Sequence, residues 1–169
     1  MKRKVELVPY SPVWKKFFEK ESVALSKILR SNLVSNFHIG STAIESIVSK
    51  PTLDVLCVVH TLDGIELFKD EFERAGFSWK GEHGLKDRLY LVRYAPDGIN
   101  HMCHVHIMKK EDPRVLDHLD FVEYLNREEK VAKQYEEVKV ALQRQFSESP
   151  EAYQNGKSEF ISIILSNLR

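Results

Sequence analysis

The chain has 169 residues, 43% hydrophobic and 30% charged, the balance of one soluble globular domain whose core needs no disulfide staple. Lysine plus arginine equals aspartate plus glutamate at 25 each; a general nucleic-acid-binding protein would carry a basic excess, whereas a local basic site for one small anion needs none. The two cysteines, Cys57 and Cys103, sit in the apolar runs LDVLCVV and HMCHVHI without any CxxC spacing, which excludes a disulfide framework and fits a reducing, cytoplasmic setting.

Residues 5–8 read as a short extended lead-in ended by Pro9, and Ser11-Pro12 as a helix start with proline at the first helical position. Trp14, Phe17, Phe18, Leu25, Ile28 and Leu29 then keep helical spacing. MKRKVELVPY has a basic cluster but no apolar stretch of a secretory signal. No apolar run approaches the roughly 20 residues of a membrane span, so no membrane partner is expected. Residues 33–39 are a predicted strand, 42–47 a predicted short helix and Ser49-Lys50-Pro51 a turn. The run 53–59, LDVLCVV, has the pattern of a central strand buried on both faces.

Ile65, Phe68, Phe72 and Ala75 form one stripe, so a helix is predicted over 63–75 with Gly76 as its stop. Strands follow at 77–80, 88–95 and 101–108, separated by a turn bracketed by Gly81 and Gly84 and by Pro96-Asp97-Gly98. From Pro113 the pattern is helical, in three pieces at 113–126, 128–146 and 150–168. The order implies an α+β fold: a small mixed sheet with flanking helices over 1–112, and a C-terminal helical region over 113–169 packed on it as one structural domain.

The segment HIGSTAIESIVSKPTLDVL concentrates the chemistry. A strand ends in Gly40, which lets backbone approach a ligand closely. Ser41 and Thr42 add hydroxyls at a predicted helix start, where free N–H groups suit an anion. Lys50 returns with a positive charge, and Asp54 places a carboxylate on a buried strand, where it needs a cation or hydrogen-bond donors. A turn with a paired core acid is the alternative; Gly40, Ser41, Lys50 and Asp54 together favour an anion site, as of a phosphate-bearing ligand.

GST followed by KPTLDV resembles the GrpB family of the nucleotidyltransferase superfamily, as do VPYSPVWKKFFEKE, KGEHGLKDRLY, HVHI, YEEVKVAL and YQNGKSEFI over nearly the whole chain. The resemblance implies a nucleotide-binding protein of nucleotidyltransferase fold. It implies that Gly40 and Ser41 hold nucleotide phosphates and that Asp54 binds a divalent metal, Mg²⁺ or Mn²⁺, that orients the attacking hydroxyl. A nucleotidyl or phosphoryl group would then pass from a nucleoside triphosphate to an acceptor. Asp54→Asn and Ser41→Ala would both weaken metal-dependent nucleotide binding.

The chain departs from the superfamily pattern where a second carboxylate belongs, because position 56 is Leu56. Three readings stay open. Another acid substitutes, with Glu82 the first candidate; or a transition metal is held by His104 and His106, which alternate and so share a strand face; or a nucleotide is bound without transfer. A non-catalytic binding module and a histidine-based metal-dependent hydrolase are therefore the alternatives to a transferase. HVHIM lacks the third alternating histidine of a histidine-triad hydrolase. In a regular strand His101 would point to the face opposite His104, and His38 reads as structural. Arg88 reads from the residues alone as an exposed strand-end charge; the resemblance turns it, with Lys139 and Lys157 of the two Tyr…Lys helices, toward the phosphates.

Overall fold

In the computed structural model, which describes residues 3–169, the first helix, α1, spans Val13–Leu29. Its start follows from Ser11, whose hydroxyl accepts the Val13 amide at 3.3 Å; Pro12 is the cap itself, one position before its predicted place. Leu25, Ile28 and Leu29 are its buried stripe. Arg30, with φ 53°, ends it, and a single 3₁₀ turn leads into the first strand.

Five strands form one mixed sheet: β1 Leu33–Ile39, β2 Leu53–Val59, β3 Ser78–Trp79, β4 Leu89–Tyr94 and β5 His101–Lys109, in the order β1-β2-β5-β4-β3. Only β2 and β5 run parallel, so the chain must cross over between them. It does so through a 3₁₀ turn at Ile65–Phe68, a short helix α2 at Lys69–Arg74, and the β3–β4 hairpin. Asp97 closes the β4–β5 turn by accepting the Ile99 and Asn100 amides, each at 2.8 Å.

One face of the sheet carries Val55, Cys57, Val59, Leu91, Cys103, Val105 and Ile107, all buried against α1 and α2 with Phe72 and Phe77. The opposite face divides along its length. Leu56, Val58 and Met108 are covered by Ile39 and Val115, whereas Asp54, His104 and His106 keep partial exposure. The run 53–59 is thus buried on both faces only beyond Asp54, the residue at which the cover stops.

The C-terminal helices are α3 Pro113–Arg127, α4 Glu129–Phe146 and α5 Pro150–Asn167. Asp112 caps α3 by accepting the Arg114 amide at 2.9 Å, and Ser149 caps α5 by accepting the Ala152 amide at 3.4 Å. Their core is Phe121, Leu125, Ala132, Tyr135 and Ile164, and it takes in Ile44 and Ile47 from the stretch between β1 and β2. Among the described residues no helix is long and apolar enough to cross a membrane.

Three local expectations are corrected. The helix predicted over 42–47 is one 3₁₀ turn, Ser41–Ala43, followed by extended backbone at Ile44. Side chains of α3 and α4 replace the helical hydrogen bonds: Asn126 bonds Glu45 N and Ala43 O, Lys133 bonds Ser46 O, and Glu136 accepts Val48 N at 2.6 Å. The helix predicted over 63–75 starts later and is split, because Gly64 sits at φ 77° and a 3₁₀ turn precedes α2. A β-bulge opposite Arg93 and Tyr94 pairs Tyr94 with His101. That extra residue turns the His101 ring back onto the face of His104.

Candidate functional site

Parallel register sets Asp54 beside His104 and Leu56 beside His106. Asp54 Oδ1 accepts from His104 Nδ1 at 3.1 Å and lies 3.8 Å from His106 Nε2. His104 Nε2 is 2.8 Å from His101 Nδ1, and Arg3 Nη1 lies 2.9 and 3.4 Å from the two ring nitrogens of His101. Desolvation alone would raise the Asp54 pKa, but the hydrogen bond from His104 and the adjacent His106 ring outweigh it and hold the carboxyl well below the usual range. Burial lowers His104 against the pull of Asp54. Burial and the Arg3 charge push His101 down to about 3. Asp54 is therefore an ionised carboxylate held by neutral imidazole. Donor counting fixes one tautomer: the Asp54 carboxylate can only accept, so His104 donates from Nδ1–H and keeps Nε2, on the His101 side, as an acceptor.

Gly40 crosses directly over this carboxylate. Its φ is 72°, and a Cβ there would fall 2.6 Å from Asp54 Oδ2. Gly40→Ala therefore combines a left-handed backbone with a collision against a fixed carboxylate. We expect it to destabilise the protein by about 2–3 kcal/mol, read by urea denaturation. A loss below 0.5 kcal/mol would mean that the turn relaxes freely.

Ser41 lines the same cleft, with Oγ 3.5 Å from the Tyr135 hydroxyl. Thr42 does not. It is buried, and its hydroxyl is 2.9 Å from His38 Nε2. His38 stacks on Phe18 at 5.5 Å, and burial pushes its pKa down to about 4, so it is structural.

On α4 and α5 a tyrosine and a lysine sit four residues apart, and each ammonium lies over its tyrosine ring: Lys139 at 4.8 Å from Tyr135 and Lys157 at 5.0 Å from Tyr153. Burial lowers both lysines to about 7. Their partners differ. Lys139 donates to the Val48 carbonyl and does not reach the cleft. Lys157 lines the cleft at 7% exposure, and among the described residues no carboxylate pairs with it. Lys50 approaches the same Tyr153 ring at 5.7 Å, and the buried Tyr153 hydroxyl has no hydrogen-bond partner.

Arg88 is buried rather than exposed, at 7%. Its Nη2 donates to the carbonyls of Glu82 and His83 at 3.0 and 3.2 Å, and its Nε is unpartnered. Glu82 itself is exposed and spends Oε1 on the Asp87 amide at 2.8 Å, so it does not join Asp54. Sequence reasoning missed Arg3, Tyr90 and His118, which line the cleft. The Tyr–Lys spacing signalled α4 and α5; a lone histidine in α3 carried no signal.

The cleft holds about 1210 Å³. Its walls carry Arg3, Lys50, Lys80, Arg88, Arg114 and Lys157 against Asp54, Asp117 and Glu151. A net positive cleft concentrates anions. The donor set does not fit a two-Mg²⁺ centre: Mg²⁺ takes oxygen ligands, while Leu56 is fully buried and imidazoles flank the single carboxylate. Among the described residues no group of three His, Cys, Asp or Glu is arranged to hold a metal ion.

The fold has a counterpart in solved structures of Cid1. Cid1 in complex with its short product ApU matches with TM-score 0.53 over 78% of this chain and 41% of that chain, at 16% identity. That likeness shows the fold alone. A family model described as GrpB protein matches residues 4–167, and the chain belongs to the GrpB family. The crystal structure of conserved protein GrpB from Enterococcus faecalis matches with TM-score 0.87, 31% identity, and coverage of 96% of this chain and 99% of that chain. UPF0157 protein YqkA of Bacillus subtilis is 31% identical over 99% of this chain and 48% of its own length. Glutamate-rich protein GrpB of Alkalihalophilus pseudofirmus is 28% identical over 99% and 97%. The chain thus spans about half of the first curated relative and nearly all of the second.

Proposed function

We propose that the cleft binds a nucleotide through its phosphates, with lysine and arginine rather than a metal pair supplying the counter-charge. The observation that carries this reading is Lys157: an ammonium at 7% exposure, without a carboxylate, beside Lys50 and an unpartnered Tyr153 hydroxyl. A buried cation left unpaired is costly, and an anionic ligand removes that cost. Gly40-Ser41 sits across the same cleft, where backbone and hydroxyl can meet a phosphate. Cid1 is named in its structures as a poly(U) polymerase and was solved with MgATP, MgGTP and a UTP analogue, so nucleoside triphosphates are the first ligands to try.

Calorimetry with ATP and UTP, in EDTA and in Mg²⁺ or Mn²⁺, tests the reading. Binding in EDTA that Ser41→Ala weakens about threefold to tenfold is the expected result. No binding at millimolar nucleotide under any of these conditions would end the proposal. Conversion of labelled nucleotide to a covalent product would extend binding to group transfer.

One observation favours a second reading. His104 and His106 both lie near Asp54 Oδ1, at 3.1 and 3.8 Å; two imidazoles and a carboxylate are ligand types for a transition metal, and taking one up would require the rings to turn and His104 to give up its hydrogen bond to Asp54. Elemental analysis of untagged protein tests this; a metal-free preparation that still binds nucleotide would remove it.

A further inference from the structure

The cleft has a second end, built from different elements. Lys50, Lys157 and Tyr153 belong to the loop before β2 and to α5. Arg88, His106 and His118 belong to the start of β4, to β5 and to α3. Leu53 pairs with Cys103 and Leu89 with Ile107. The Lys50 loop and Arg88 are therefore at least four residues apart along β5, about 13 Å at roughly 3.3 Å per residue.

This second end repeats the features of the first without sharing a side chain with it. Arg88 is a cation at 7% exposure, and no carboxylate lies within ion-pair distance among the described residues. Its guanidinium lies 4.9 Å over the Tyr90 ring, and its Nη2 is tied to the 82–83 turn, so its direction is fixed. Two buried polar atoms lack partners here: Arg88 Nε and His106 Nδ1. The His118 ring stands 5.8 Å from that of His106 and lines the same cleft. Nearby charges do not satisfy Arg88. Asp117 is bonded to Arg169, and Asp112 is bonded to Arg114 at 2.5 Å. A cleft of about 1210 Å³ also exceeds the roughly 300–1,000 Å³ of a single-ligand pocket.

We infer that the Arg88–His106–His118 end is a separate oxyanion subsite, for a second ligand carrying a phosphate monoester or carboxylate group. Arginine suits both, because its fork of N–H donors matches either oxyanion, and the N–H of the His118 ring adds a further donor. The proposed function places a nucleotide at the lysine end; on that reading the second ligand binds alongside the nucleotide, and it is a small anionic molecule.

The test follows the Arg88 Nε–H and His118 ring signals by ¹⁵N-edited NMR in the full chain, titrated separately with inorganic phosphate and with acetate. Expected is saturable perturbation of both signals by at least one anion in the millimolar range. Lys157→Met should leave that affinity within twofold, and Arg88→Gln and His118→Gln should each weaken it about tenfold. Because Arg88 also holds the 82–83 turn, His118→Gln keeps the test valid if Arg88→Gln does not fold. Saturation by phosphate alone or acetate alone identifies the group recognised. Saturation by neither, or signals abolished by Lys157→Met, or affinity unchanged in His118→Gln, overturns the subsite. Loss of ATP binding at the lysine end with this response intact would reject the nucleotide reading and leave the subsite standing.

Discussion

Lys157→Met is expected to stabilise the ligand-free protein and to abolish nucleotide binding. The two effects share one cause. Burial lowers the Lys157 pKa from 10.5 to about 7, with the Lys50 charge adding to it. The folded state thus binds fewer protons than the unfolded chain between pH 7 and 10.5, so the Lys157 contribution to stability rises with pH across that window. At pH 7 and below the penalty is fully present. Methionine keeps the aliphatic stem and removes it. The gain should be about 2 kcal/mol at pH 7, below the full proton-linked cost because a buried lysine is relieved in part by relaxation and water. It should shrink towards zero by about pH 10. Urea denaturation of both proteins at pH 6, 7, 8, 9 and 10 measures the difference. An advantage that grows with pH would contradict the assignment. A phosphate beside Lys157 restores the charge, so nucleotide binding near pH 8 should take up a proton, visible as a buffer-dependent heat in calorimetry.

How much of this was legible in the sequence depends on the range of the interaction. β1 and β2 were readable residue by residue, because an apolar run ended by Gly40 or opened by Asp54 is a local signal. The three C-terminal helices were readable from Pro113, Pro150 and their stripes. The stretch between β1 and β2 was not, because its backbone is satisfied by Asn126, Lys133 and Glu136, more than eighty residues away. The same division runs through the site. Gly40, Ser41, Lys50 and Asp54 lie in one segment and were found together. Lys157 was placed by its tyrosine four residues earlier. Thr42 and Lys139 were misplaced: each has the right chemistry for a phosphate, but His38 and the Val48 carbonyl occupy them. The His101 orientation turned on a bulge, which one extra residue in a strand pairing creates and no propensity announces. His118 and Arg3 reach the cleft only because α3 and the lead-in pack beside β5.

Asp54→Asn is expected to separate the two accounts of the site. If lysine and arginine neutralise the ligand, Asp54 is a repelling charge in a cleft for anions. Its removal should tighten ATP binding about fivefold in EDTA, on the order of 1 kcal/mol for one unit charge near the phosphates. The same tightening should persist in Mg²⁺, because one carboxylate beside Leu56 is too little to hold that ion. If Asp54 is instead a metal ligand, as the resemblance implies, the variant should bind ATP more weakly, and only when the metal is present. Stability should move the other way from affinity. The hydrogen bond from His104 and the adjacent His106 ring hold Asp54 well below its ordinary pKa; a depressed carboxyl contributes stability above its unfolded pKa, lost as pH falls through the folded value. The neutral amide of the variant would forfeit that contribution, about 2 kcal/mol at pH 7, and the wild-type advantage should fade on acidification below about pH 4. A variant that is less stable yet binds nucleotide more tightly would mark Asp54 as the residue that organises the imidazoles of the floor, while the cations of the walls do the binding.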